Sequence, residues 1–276
     1  MALVMGVVNV TPDSFSDGGD FFAPEAAAQR AAIMLGEGAQ VIDVGGESTR
    51  PGSDPVSPEE EISRVVPVIE RLMAERPGAV VSVDTYRAAT AEAALRAGAR
   101  VVNDVTALRG DTTMAALVAD AECPVVLMHM KGEPKTMQRE PRYGDVVREV
   151  REFLVERAGF AVSAGVKPEN VVVDPGIGFG TTLDHNLTLL RDLGAIVDLG
   201  FPVLVGASRK RFLATITGVE VANERVFGTV AITVLAQERG ATLFRVHDVR
   251  ANREVLAVAE AVRRVWDPET GTNALN

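Results

Sequence analysis

The chain has 276 residues, 47% of them apolar but only 5% aromatic, and a formal net charge of −10. So acidic a balance excludes a surface built to hold nucleic acid or an anionic membrane. The single cysteine, Cys123, excludes an internal disulfide and a cysteine-based zinc cluster.

An apolar run at 3–8 predicts the first strand, and it stops abruptly in Asn9-Val-Thr-Pro-Asp-Ser-Phe-Ser-Asp17 before Gly18-Gly19. A core strand gains nothing from such an ending, so the polar cluster is expected to face a ligand. A helix is predicted at 24–37, then a strand at 41–45 that runs into Asp43-Val-Gly-Gly-Glu-Ser-Thr-Arg50. The next helix, at 58–75, opens with Ser57-Pro58-Glu59-Glu60, which has the form of a capping box with proline at N1. Its apolar stripe is Ile62, Val65, Val66, Ile69 and Leu72. A strand at 80–84 ends in Asp84-Thr85 and is followed by a helix at 87–97. One at 101–105 carries Asn103-Asp104 and precedes a helix at 112–120, capped by Asp111. A strand at 124–129 ends in Met128-His129 before a helix at 144–164. One at 171–174 gives way to Asp174-Pro-Gly-Ile-Gly178 and a helix at 184–192. The last two strands, 202–207 and 242–247, deliver Ser208-Arg-Lys210 and Arg245-Val-His247. Helices at 223–239 and 250–265 follow them, the latter behind a capping Asp248.

Strand and helix alternate eight times, the pattern of a parallel sheet covered by helices. Eight units predict a single (β/α)8 TIM barrel, with a doubly wound open sheet as the alternative. In such a barrel the active site forms at the C-terminal ends of the strands, where this chain places its polar clusters. One domain over 1–276 is expected, with about 267–276 as a tail. With no basic-then-apolar leader at the start, and no apolar run near the roughly 18 residues that span a bilayer, a soluble cytoplasmic protein is expected.

Asp84, Asn103 and Asp174 end three strands and should converge on one cavity, offering acceptors and a donor to a flat heterocycle rich in N–H groups. Arg50, Arg209, Lys210, Arg211, Arg245 and His247 gather near strand ends although the protein is acidic, which points to an anionic ligand. Arg245 and His247 leave their strand on one face, because side chains alternate. A guanidinium with an imidazole suits phosphate or diphosphate. Arg209 and Arg211 have the simpler explanation of a solvated helix start. Asn9, Asp13, Asp43 and Thr49 are oxygen donors suited to Mg2+. Gly176, Gly178 and Gly180 either cradle a phosphate or form a tight turn that sets Phe179 against the site. His129, His185 and the Cys123 thiol are expected to be structural.

These segments together resemble the dihydropteroate synthases of the folate pathway. The resemblance rests on Met5–Gly19, Ile42–Gly52, Ser82–Thr85, Val102–Asp104, Asp174–Gly180, Gly206–Lys210 and Arg245–Asp248. It implies condensation of 6-hydroxymethyl-7,8-dihydropterin diphosphate with p-aminobenzoate, diphosphate leaving before the arylamine attacks. It implies that Asp84, Asn103, Asp174 and Lys210 hold the pterin, with Met128 and Phe179 beside the ring. Thr49, Arg245, Val246 and His247 would border the diphosphate, and Asn9 would bind Mg2+. Thr49, Arg50, Pro51 and Ser208 would receive p-aminobenzoate, the position sulfonamides contest. A homodimer is expected on the same ground. A pterin-dependent methyltransferase would share Asp84, Asn103 and Asp174 but has no need of Thr49-Arg50 or Ser208-Arg-Lys210. Two departures stand out. Thr181 replaces the lysine common after Gly-Phe-Gly, and the chain starts almost at its first strand, so a more open barrel floor is expected.

Overall fold

The computed structural model describes residues 2–11, 24–48, 53–132, 136–137 and 141–265. The eight strands are β1 (Leu3–Asn9), β2 (Val41–Gly45), β3 (Val81–Asp84), β4 (Val101–Asp104), β5 (Val125–Met128), β6 (Val171–Asp174), β7 (Leu204–Val205) and β8 (Leu243–Val246). They form one parallel sheet in the order β6-β5-β4-β3-β2-β1-β8-β7. The bridge Val173↔Val203 joins β6 back to the segment leading into β7, so the sheet closes into the expected barrel. That seam is the weakest part of the wall. β7 is a ladder of two residues where six were predicted, since the chain turns away through Gly206 toward Ser208.

The helices are α1 (Pro24–Gly36), α2 (Pro58–Glu75), α3 (Ala88–Ala97), α4 (Met114–Asp120), α5 (Val146–Ser163), α6 (Leu183–Arg191), α7 (Gly194–Val197), α8 (Arg211–Thr217), α9 (Val226–Glu238) and α10 (Val249–Val265). All eight predicted helices are present. The short α7 and α8 were not foreseen. Ser57 caps α2 by accepting from Glu60 N, but the Glu60 carboxylate turns to Arg64, so the box is half made. The buried face of α2 is Glu61, Val65, Val68, Ile69 and Leu72, rotated from the predicted stripe by one buried acid. Asp111 begins the turn before α4 and also accepts from Ala88 N at the start of α3.

Valine dominates the strands because both faces are covered. Outward residues such as Val4, Ile42, Val83 and Val125 join the helices in the main core. Inward residues Met5, Val41, Val126, Leu204 and Leu243 pack with Val80, Val101 and Val172 to form the barrel floor. Side chains repeat every two residues along a strand. Two steps above this floor stand Asp43, Asn103, Met128, Asp174 and Arg245, and four steps above it stand Asn9 and Asp84. The same parity that fills the floor thus aims polar groups up the lumen.

Candidate active site

Arg245 occupies the centre of the mouth. Its Nε donates to Asp43 Oδ2 at 2.6 Å and its Nη2 to Asp84 Oδ2 at 2.6 Å. Asn103 Nδ2 reaches the same Asp43 oxygen at 3.0 Å. Asp43, Asp84, Asn103 and Asp174 are all buried. Burial raises Asp84 above the usual carboxylate range, opposed by Arg245 and reinforced by Asp43. Burial lowers the proton affinity of Arg245, but Asp43 and Asp84 override it and keep the guanidinium charged.

Lys210 stands across from Asp174. Its Nζ donates to Ile177 O and lies 4.3 Å from the centre of the Phe179 ring. Burial lowers this amine to about 7, against the pull of Asp174. Burial likewise pushes Asp174 up to about 6, resisted by Lys210 and by the Gly176 N–H. Met128 shares an apolar cluster with Val105, Met130 and Met137, against which Phe179 packs. A flat ring placed here would have carboxylates at its polar edge and apolar surface beside it.

The glycine turn settles into its second reading. Gly176 N donates to Asp174 Oδ1 at 2.7 Å, Gly178 N to Asn186 Oδ1 at 2.7 Å, and Phe179 N to Gly176 O at 2.9 Å. These N–H groups are committed inward, so no phosphate cradle is formed. Gly176 has φ +69° and lies so close to His129 that an added Cβ would meet its carbonyl oxygen at 1.8 Å. Thr181, the departure noted above, is buried and donates to Asn186 Oδ1 at 2.8 Å, tying the turn to α6.

On the β7–β8 side, Ser208 Oγ lies 3.0 Å from His247 Nδ1 and accepts from His247 N at 3.1 Å. Arg209, with φ +59°, is no solvated helix start: its guanidinium grips Asp248 at 2.5 and 3.0 Å. That contact engages the Asp248 carboxylate expected to cap α10. Arg211 is exposed, as expected. Val246 belongs to the core between sheet and helices, so its side chain faces away from the lumen and only its backbone lies between Arg245 and His247.

Among the expected Mg2+ donors, Asn9 ends β1 half-buried. Asp43 lies lower in the lumen, its Oδ2 engaged by Arg245 and Asn103. Asp13 and Thr49 lie outside the described residues, as do Arg50, Pro51 and the tail at 267–276. No group of three or more acidic, histidine or cysteine side chains among the described residues could hold a metal. A single carboxamide nonetheless fits Mg2+ carried mainly by water and substrate phosphate. His185 completes a capping box with Thr182. His129 is buried edge-on to Phe153, and burial lowers it to about 4. Cys123 is buried, and burial raises its thiol.

Sequence reasoning missed a half-buried ionic cluster beside the second loop, built around the buried Glu61. Arg87 joins Glu61 at 2.9 Å and Glu47 at 2.7 Å, while Tyr86 donates to Glu47 at 3.0 Å. Glu47 also accepts from Val56 N, bridging the neck of that loop. The one available signal was spacing: Glu61 shares the stripe of Val65, Val68 and Leu72.

A family model described as pterin binding enzyme matches residues 5–247. A dihydropteroate synthase of Synechocystis is 45% identical over 261 residues, 95% of this chain and 90% of that one. The Xanthomonas albilineans dihydropteroate synthase with 4-aminobenzoic acid superimposes with a TM-score of 0.91 at 49% identity, covering 96% of this chain and 94% of the other. Its complex with 7,8-dihydropteroate gives 0.88 at 46%, covering 96% and 95%. The Yersinia pestis dihydropteroate synthase in a sulfonamide drug complex gives 0.90 at 43%, covering 95% and 94%.

Proposed function

The chain belongs to the pterin-binding enzymes and, among them, to the dihydropteroate synthases, and from that premise we propose how its residues divide the work. It is a transferase of folate biosynthesis that condenses 6-hydroxymethyl-7,8-dihydropterin diphosphate with p-aminobenzoate, giving 7,8-dihydropteroate and diphosphate, and it is a sulfonamide target. The observation that carries the residue roles is the convergence of Asp84, Asn103, Asp174, Lys210 and Arg245 above an apolar floor, with Met128 and Phe179 alongside.

Asp84, Asn103 and Asp174 bind the N–H edge of the pterin. Their buried oxygens need donors, and the heterocycle supplies them. Both carboxylates also favour positive charge developing on the pterin as the C–O bond to diphosphate breaks. Arg245 and His247 receive the negative charge that grows on the leaving group, the electrostatic work expected to dominate such a step. Lys210 closes the pterin site over Phe179. Ser208, held by His247, receives p-aminobenzoate together with Thr49, Arg50 and Pro51 in this reading. The arylamine is unprotonated near neutrality, so attack needs no dedicated base. Asn9 would hold Mg2+, which when bound neutralises diphosphate charge. Asp84, Asp174, Lys210, Arg245 and His247 are therefore the proposed catalytic set.

A cytoplasmic homodimer completes the proposal. Phe227, Val258 and Val262 stand exposed on α9 and α10, an apolar face suited to a second copy. The test is diphosphate release by purified protein with both substrates and Mg2+, omitting each in turn. Dihydropteroate formation requiring both substrates supports the assignment. Pterin binding without product would instead identify a silent barrel.

A further inference from the structure

Asp43 is fully buried in the middle of β2, and yet it touches two residues assigned to substrate. One oxygen, Oδ2, accepts both Arg245 Nε at 2.6 Å and Asn103 Nδ2 at 3.0 Å. The other, Oδ1, has no partner among the described residues. Two buried carboxylates, Asp43 and Asp84, thus share one guanidinium. Such an arrangement is no better for stability than apolar packing of the same volume, since desolvation consumes most of the attraction. Its retention in the lumen calls for another use.

Arg245 has five N–H donors in a rigid fork. Asp43 takes the Nε donor and Asp84 takes one on Nη2, which fixes the plane of the fork from two sides. Nη1 has no partner among the described residues and remains for an anionic oxygen. The same Asp43 oxygen pins the carboxamide of Asn103 by its amino group, leaving the carboxamide oxygen to face a ligand N–H. We infer that Asp43 is a positioning residue that fixes Arg245 and Asn103 against each other, aligning the guanidinium with diphosphate and the carboxamide with the pterin. The inference rests on the synthase assignment above. It gives a use to a buried carboxylate that joins the residues of the two proposed subsites.

The test is a double-mutant cycle on Asp43→Asn and Arg245→Ala, with steady-state kinetics for both substrates and calorimetric titration of inorganic diphosphate. Asp43→Asn should lower kcat/KM for the pterin diphosphate by about 100-fold, the scale of an ångström-sized misplacement. KM for p-aminobenzoate should stay within about 2-fold, because uniform binding on that side is untouched. In the Arg245→Ala background the same change should cost less than about 3-fold, since residues acting through one another are not additive. Full retention of kcat/KM, an equal loss in both backgrounds, or a matching rise in both KM values would overturn the inference. If Asp43→Asn does not fold, Arg245→Lys carries the test. A single ammonium cannot span both carboxylates, so the same split is expected, and wild-type kinetics would refute it. Failure of the wild type to make dihydropteroate would remove the function itself, while diphosphate affinity still reports on Asp43.

Discussion

Gly176→Ala tests whether the turn after β6 builds the site by close backbone approach. An alanine at φ +69° meets the left-handed penalty of about 1–2 kcal/mol. Its Cβ would also lie 1.8 Å from the His129 carbonyl oxygen, so the turn must retreat by about 1.6 Å to reach ordinary contact at 3.4 Å. Forcing an extra carbon into packed surroundings costs a further ~1–3 kcal/mol. The total of about 2–5 kcal/mol corresponds to a melting temperature lower by roughly 5–15 °C for a protein of this size. The retreat also pulls the Gly176 N–H from Asp174 and shifts Ile177, the acceptor for Lys210. A fall in kcat/KM near 100-fold is expected for misplacement on that scale. Gly200→Ala is the matched control: φ is +84°, but no atom lies within 4 Å of the added carbon. It should lower the melting temperature by only a few degrees and leave turnover intact. Differential scanning calorimetry with steady-state kinetics decides the matter. Equal melting shifts in the two variants, or wild-type kcat/KM for Gly176→Ala, would refute the reasoning.

The pH profile follows from two carboxylates opposed to one amine, and Asp84, raised to about 7 by burial, sharpens the acid limb set by Asp174. Asp174, raised to about 6, takes up its proton as pH falls through that value, whereas Lys210, lowered to about 7, loses its proton as pH rises through that one. For kcat/KM of the pterin diphosphate this means a maximum between them and a decline on either side, because that parameter reports the free enzyme. Lys210→Arg should lower the peak but remove the alkaline limb, since a guanidinium keeps its proton; a flat wild-type profile from pH 5 to 8 would contradict both assignments. His247→Ala should weaken inorganic diphosphate in calorimetry by about 10-fold or more, the worth of a hydrogen bond to a charged group. Its p-aminobenzoate affinity should change less, and the reverse order would exchange the two subsites.

The barrel was legible because its strands obey a two-residue alternation over an apolar floor, and the polar residues that break the pattern do so at strand ends. Asp84, Asn103, Asp174 and Arg245 were found that way. Other features lay beyond a single sequence for physical reasons. Asp43 looked like a metal oxygen because its cation lies 202 residues away, and only closure of the sheet brings them together. Asp248 was expected to cap α10 but is drawn to Arg209, a choice between local and long-range partners that composition leaves open. The glycine turn offered two functions, and only the destination of each N–H distinguished them. The short β7 hid behind an apolar run longer than its ladder. Glu61, third in a run of helix-starting acids, gave no sign of being buried except its phase in the stripe.

The weak seam between β6 and β7 has a consequence for ligand binding. Asp174 sits on one lip of that seam, and Ser208 and Lys210 sit on the other. Where the wall has fewest hydrogen bonds, the reacting molecules are asked to touch both edges. With the residue roles proposed above, a substrate that touches both lips stabilises the closed wall by binding it preferentially. On the same reading, an inhibitor confined to one lip leaves the seam as it is, while one that bridges the lips stabilises it.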